Sequence, residues 1–177
     1  MIYILLTDGF EDIEALEVLD ILRRAGLDAK TVGLFDKKVK SSHGVEIFAD
    51  IEVGQVEKES MEMLILPGGP GHTLYEKSEQ GMELIKYAKE NEIRISAICA
   101  APSVIGKLGY LDGKKFTCYP GFEDACKGGI FTDEKAVKDG LFITGKGPGA
   151  AADFGFMIVE ELLSAEVSEK VKKDMQY

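Results

Sequence analysis

The sequence predicts a doubly wound α/β fold, a mostly parallel sheet sandwiched between helices. Short runs rich in Ile, Leu and Val at 1–7, 63–66 and 93–98 carry no polar alternation, as expected of strands covered by helices on both faces. Segments with three-to-four apolar spacing separate these runs, which is the alternating order of an α/β domain. Gly, Pro or small residues follow the runs, at the strand ends where such folds bind their ligands.

Taken in order, residues 1–7 (MIYILLT) form the first strand, ended by Asp8-Gly9. Ile13, Leu16, Leu19 and Leu22 follow helical spacing over 13–25, and Gly26 supplies the stop. The run at 29–34 is the next strand. It feeds a Lys-rich segment containing Ser41-Ser42-His43-Gly44 before the apolar stretch 45–48, which reads as a hairpin excursion. A buried strand at 63–66, the turn Pro67-Gly68-Gly69-Pro70-Gly71, a helix over 80–91 and a strand over 93–98 repeat the cycle. Beyond Cys99 the pattern gives a helix at 103–108, a short strand at Thr117-Cys118, an irregular stretch at 121–129 and a late strand at 141–144. Gly145-Lys146-Gly147-Pro148-Gly149 opens a long helix over 150–163, and 168–175 forms a short charged helix.

With 177 residues, 45% hydrophobic and 29% charged, the chain is expected to be one domain over 1–177 with a core that needs no disulfide or metal staples. A net charge of −10 excludes nucleic acid as the main partner, because phosphate binding needs clustered cations. The short basic groups Lys37, Lys38, Lys40 and Lys170, Lys172, Lys173 read as solvated faces. Cys99, Cys118 and Cys126 lack CxxC spacing, and the first residues lack a charged secretory n-region, so a reducing cytoplasm is expected. No apolar run approaches the ~20 residues that span a bilayer, so no membrane partner is expected.

The strand ends at 8–14, 67–72, 99–102 and 145–149 are expected to converge. In Ile98-Cys99-Ala100-Ala101-Pro102 a strand passes through small residues straight into a helix. Such a turn holds a side chain over a helix N-terminus, where amides and dipole favour a thiolate. A buried thiol filling core space is the plainer alternative. Gly68-Gly69-Pro70-Gly71 lets backbone approach a ligand, with the Gly69 and Ala100 amides as oxyanion donors. A phosphate nest lacks GxGxxG or P-loop spacing here, and a bare tight turn remains open. In Glu11-Asp12-Ile13-Glu14 the first two acids suit a helix start, whereas Glu14 is placed to share a proton with Cys99. His72 reads as an ordinary histidine, Asp8 and Asp12 as loop caps, and Cys118 as a packed thiol. No metal-ligand spacing is present.

In this order, Glu11 to Glu14, Arg23-Arg24-Ala25-Gly26, Leu66-Pro67-Gly68-Gly69-Pro70-Gly71, Ala97-Ile98-Cys99-Ala100-Ala101-Pro102 and Gly147-Pro148-Gly149 resemble the DJ-1/ThiJ/PfpI superfamily, its DJ-1/ThiJ branch in particular. The resemblance implies a flavodoxin-like fold, a reactive and readily oxidised Cys99, a Glu14 carboxyl hydrogen-bonded to it, and amide donors at Gly69 and Ala100 beside Gly68. It also implies a homodimer whose partner subunit lines the pocket, with His43 at the matching position. Two departures matter. Ala100 stands where PfpI-type proteases have histidine, which argues against proteolysis. Tyr119 precedes Pro120 where several DJ-1-like proteins have histidine, and a phenol with pKa about 10 donates but is a poor base. The function implied is glyoxalase- or deglycase-like action on small aldehydes such as glyoxal or methylglyoxal, or on their early adducts, with no cofactor or metal. The rival is a non-enzymatic sensor or protective binding protein acting through Cys99 oxidation. A role in thiazole phosphate metabolism rests on the ThiJ label alone.

Overall fold

The structure, a computed structural model, describes residues 1–177. The chain runs β1 (Ile2–Leu6), α1 (Asp12–Arg24), β2 (Ala29–Gly33), β3 (Lys38–Lys40), β4 (Glu46–Phe48), β5 (Ile51–Glu52), β6 (Met63–Leu66), α2 (Glu79–Glu90) and β7 (Arg94–Ile98). It continues with α3 (Pro102–Lys107), β8 (Lys115–Phe116), β9 (Ile130–Phe131), β10 (Ala136–Asp139), β11 (Phe142–Gly145), α4 (Ala151–Leu162) and α5 (Ala165–Asp174). Seven strands form the main sheet in the order β10-β11-β7-β6-β1-β2-β5, parallel throughout except where β10 pairs antiparallel with β11.

Alternation within β1 explains why its sequence is apolar throughout. Ile2, Ile4 and Leu6 face one core layer, with Ile21, Phe154 and Ile158 of α1 and α4. Tyr3 and Leu5 face the other, with Ile85 of α2 and Ile105 of α3. Side chains of a strand point alternately up and down, so a sheet with two covered faces needs apolar residues at every position.

The first helix starts where the Glu11 carboxylate accepts the Glu14 N–H at 2.9 Å. Asp12 and Glu14 in the first turn and Arg23 and Arg24 in the last complement the helix dipole, and Gly26 takes a left-handed φ of 80° just past the end. Its buried face is Ala15, Val18, Ile21 and Leu22 with Glu14. Ile13, which the spacing assigned to the apolar stripe, is exposed.

The register brings the strand ends to one edge: Leu6 lies beside Gly33, Leu66 beside Ala97, and Ile98 beside Gly145. Segments after β1, β6, β7 and β11 therefore leave the sheet together. The hairpin of β3 and β4 folds back onto this edge, its Lys40 carbonyl accepting the Gly9 N–H at 2.7 Å and the Phe10 carbonyl accepting the Ser42 N–H at 2.8 Å.

Some elements depart from the sequence expectation. The strand expected at Thr117-Cys118 lies two residues earlier, as β8, which pairs with β9 outside the main sheet. Thr117 instead gives its N–H to the Thr144 hydroxyl at 2.9 Å. Edge strands β5 and β10 were not anticipated, because the first is only Ile51–Glu52 and the second mixes exposed Lys138 with buried Ala136 and Val137. The last helix begins three residues earlier than its apolar pattern suggests, where the Ser164 hydroxyl caps the Val167 N–H. No helix is long and apolar enough to cross a membrane.

Ile21 is fully buried where α1 packs on α4. Ile21→Ala is expected to lower stability by about 2–5 kcal/mol. The checking measurement is denaturant unfolding, with the midpoint shifted and the slope unchanged.

Candidate active site

Cys99 follows β7 directly and is clamped on both sides. Its N–H donates to the Gly145 carbonyl at 2.9 Å, and its carbonyl accepts the Tyr119 N–H at 2.8 Å. Between these bonds the residue adopts φ 65°, a left-handed conformation that a side chain disfavours. The side chain is buried but not sealed, with 8% of the residue exposed. The strand-to-turn geometry of a nucleophile elbow is therefore present, whereas the expected seat on a helix N-terminus is not. The following helix, α3, begins only at Pro102 and has six residues. The donors that reach the sulfur are instead the Gly69 and Ala100 amides, each of which favours the thiolate.

Glu14 enters from α1, fully buried. Its Oε2 accepts the Gly68 N–H at 2.8 Å, and the carboxyl is hydrogen-bonded to the Cys99 side chain. Oε1 is buried with no hydrogen-bond partner. An acceptor in that position is better tolerated on a carboxylic acid than on a carboxylate.

Gly68 makes the approach possible. A Cβ there would lie 2.7 Å from the Cys99 Cβ, 2.8 Å from Glu14 Oε2 and 2.9 Å from the Ile98 carbonyl oxygen. Gly69 holds a φ of 87°, and a Cβ on it would meet the Gly9 carbonyl oxygen at 2.5 Å. These two glycines let three chain segments close around one carboxyl and one thiol.

Burial pushes Glu14 up to about 7, against which the bonds from Cys99 and Gly68 pull only partly. Burial, then the Glu14 charge and its hydrogen bond, push Cys99 up to about 12, against the Gly69 and Ala100 amides. With Glu14 charged, the thiol keeps its proton. When Glu14 holds the proton, its contributions to Cys99 vanish and only burial opposes the two amides. Below about 7 both groups keep their protons, and above it the pair carries one negative charge and holds one proton between its two members.

The remaining candidates separate into those at this site and those elsewhere. Tyr119 is half-exposed, its ring beside Gly147 and Phe122. His43 lies on the hairpin and meets the Asp12 carboxylate through Nδ1 at 2.8 Å, a contact that raises its pKa. His72 bonds the Gly69 carbonyl at 2.9 Å and sits edge-on to Phe122. The Asp8 carboxylate accepts the Lys40 N–H at 2.8 Å. Cys118 and Cys126 are buried in the opposite core layer from Cys99. The sequence did not disclose that Glu11, Asp12 and His43 bring ligand atoms within 4.8 Å of one another, because the hairpin supplies His43 from far along the chain. Nor did it disclose that Lys135 joins Lys146 beside Tyr119 in a cleft of ≈ 330 Å³.

An elbow cysteine set against a buried carboxyl, at the carboxyl edge of a doubly wound sheet, defines a class of α/β proteins with a sheltered thiol. The chain belongs to the DJ-1/PfpI family, whose sequence profile matches residues 1–161. It is 36% identical over 177 residues to protein dj-1beta of Drosophila melanogaster, covering 97% of this chain and 94% of the fly protein. The crystal structure of Drosophila melanogaster DJ-1beta superposes with a TM-score of 0.93 at 34% identity, covering 99% of this chain and 96% of the other. Toxoplasma gondii DJ-1, in a structure described as oxidized, gives a TM-score of 0.94 at 29% identity, covering 99% and 97% of the two chains. A glutathione-independent glyoxalase, DJR-1.2 of Caenorhabditis elegans, is 32% identical over 170 residues, covering 93% of this chain and 91% of the worm protein.

A carboxyl whose pKa rises from 4.5 to about 7 on folding stabilises the folded state most below 4.5, and that contribution is lost as pH rises through 7. The span corresponds to about 3 kcal/mol. Carboxylates with lowered pKa, such as Asp50, act in the opposite sense, so the difference between wild type and Glu14→Gln isolates Glu14. Unfolding measured from pH 5 to 8 is expected to show wild type losing stability relative to Glu14→Gln as pH rises.

Proposed function

We propose that the protein acts on small reactive aldehydes, or on their early adducts with thiols and amines, with Cys99 as nucleophile and Glu14 as acid-base partner. The observation that carries this reading is the fully buried Glu14 carboxyl, held by the Gly68 N–H at 2.8 Å and set so close to Cys99 that a Cβ on Gly68 would touch both. Transfer of the Cys99 proton to Glu14 yields a thiolate beside a carboxylic acid. With methylglyoxal, the sulfur bonds to the aldehyde carbon while the carbonyl electrons move to oxygen, which the two amides hold and Glu14 protonates. Glu14, now a carboxylate, takes the proton from that carbon, and its return to the neighbouring carbon converts the hemithioacetal through an enediol to a lactoyl thioester. Water cleaves the thioester, releasing lactate and the thiol, so methylglyoxal plus water gives lactate. No external electron acceptor enters this balance.

A pKa near neutrality suits Glu14 to both proton steps, since an acid-base group works best close to the ambient pH. Gly68 positions Glu14, and Tyr119 serves as a hydrogen-bond donor at the cleft wall rather than as a base. Support from relatives lies in the Caenorhabditis elegans protein described as a glutathione-independent glyoxalase. We propose a homodimer as the functional unit, with His43 as the residue that lines the partner's pocket.

A second reading has its own observation. Because Cys118 and Cys126 lie across the sheet from Cys99, a sulfenate formed on Cys99 has no resolving thiol in its own layer and advances to sulfinate under excess peroxide. That suits an oxidation sensor. Intact mass after mild peroxide is expected to show two oxygens gained at Cys99 alone.

The experiment that tests the enzymatic reading follows methylglyoxal loss and lactate formation in wild type, Cys99→Ser and Glu14→Gln. Cys99→Ser is expected to lose activity to background, and Glu14→Gln to fall about 100-fold or more. Full activity in Cys99→Ser overturns the mechanism.

A further inference from the structure

We propose that Lys135 and Lys146 form a subsite for a carboxylate carried by the molecule that reacts at Cys99, so that aldehyde adducts of amino acids and peptides are preferred over uncharged aldehydes. The identity of the reacting group as an aldehyde rests on the reading of Cys99 above. The carboxylate subsite does not.

The two lysines reach this position through the backbone. Strand β11 runs parallel to β7 with Gly145 beside Ile98, so the next residues along, Lys146 and Cys99, leave the sheet side by side. The Cys99 N–H holds the Gly145 carbonyl at 2.9 Å, and the Lys146 N–H holds the Lys135 carbonyl at 2.9 Å, which brings the second lysine alongside the first. Both line the ≈ 330 Å³ cleft whose other wall includes Tyr119, Gly147 and Pro148. Tyr119 is the residue that donates its N–H to the Cys99 carbonyl, so the cleft begins beside the Cys99 backbone, next to both of its hydrogen-bonded clamps.

Charge distinguishes this cleft. The protein carries a net charge of −10, yet no Asp or Glu lines the cleft. The lysines hold their nearest acids outside it, Asp153 at 3.0 Å from Lys135 and Asp133 at 2.6 Å from Lys146. These pairs are exposed and contribute little to stability. Each ammonium therefore exchanges one carboxylate for another at small cost, which favours a carboxylate over a bulkier, more highly charged anion. The half-exposed Tyr119 hydroxyl adds a neutral donor at the same wall. A ligand tethered to the Cys99 sulfur at one end and to the lysines at the other matches an adduct that bears both a reactive carbon and an amino-acid carboxylate.

The test compares alkylation of Cys99 by iodoacetate and by iodoacetamide, which differ in one negative charge and form the same thioether linkage with loss of iodide. Rates are read by peptide mass in wild type, in Lys135→Gln/Lys146→Gln and in Lys135→Arg/Lys146→Arg. The iodoacetate-to-iodoacetamide ratio is expected to fall about tenfold in the glutamine variant, to persist in the arginine variant, and to approach the glutamine value in wild type at high salt. The iodoacetamide rate in each sample accounts for any change in the thiol itself. An unchanged ratio in the glutamine variant overturns the subsite. A companion assay compares turnover of the methylglyoxal hemithioacetals of N-acetylcysteine and of its amide, with wild type expected to favour the acid in kcat/KM and the glutamine variant to lose that preference. If wild type turns over neither adduct, the enzymatic reading fails, while the alkylation ratio still decides whether the lysines select a carboxylate.

Discussion

Two acidic groups, the Glu14 carboxyl and the Cys99 thiol, share a buried space that disfavours ionising both, and the surrounding structure is arranged around the one proton they hold between them. A lone buried carboxylate is costly, and a carboxylate against a thiolate is costlier still. The protein offsets that cost with directed donors: the Gly68 N–H on Glu14, and the Gly69 and Ala100 amides on Cys99. Each donor requires unusual backbone. Gly68 needs the absence of a Cβ, Gly69 a left-handed φ, and Cys99 itself the strained turn at φ 65°. The strain is sustained by hydrogen bonds from two separate segments, at Gly145 and Tyr119.

The placement of Glu14 depends in turn on how α1 begins. Glu11, buried at the first turn, spends its carboxylate on the Glu14 N–H rather than on solvent. The β3–β4 hairpin backs this turn through the Phe10–Ser41 bridge and the contact of His43 with Asp12. A chain of local interactions thus runs from an exposed hairpin to the buried acid. Cys118 and Cys126 pack in the other core layer from Cys99.

Much of this was legible in the sequence because the decisive residues sit where strand patterns end. Uninterrupted apolar runs marked β1, β6 and β7, and the structure brings Gly68, Gly69, Cys99 and Ala100, just after the last two, together with Glu14 in the first turn of α1. Features set by long-range packing were not legible. Strand β10 is an antiparallel edge with Lys138 outward, so its pattern resembles a loop. The turn at Thr117-Cys118 looks β-like locally, yet its N–H goes to the Thr144 side chain. Ile13 fits the helical period of α1 but lies outside the buried face. The helix N-terminus expected beneath Cys99 is absent because α3 begins only at Pro102, so the donors at the sulfur are the Gly69 and Ala100 amides, which burial and Glu14 outweigh.

The Glu14 carboxyl held protonated to near neutrality is the centre of this account, and difference infrared spectroscopy observes its proton directly. A carboxylic acid shows a carbonyl stretch that disappears on ionisation, and subtracting Glu14→Gln from wild type assigns that band to Glu14. The account predicts a band present at pH 6 and lost near pH 7, with the loss displaced to higher pH in Cys99→Ala, because the hydrogen bond from Cys99 lowers the Glu14 pKa. A band lost near the ordinary carboxyl value of 4.5, and indifferent to the cysteine, contradicts it.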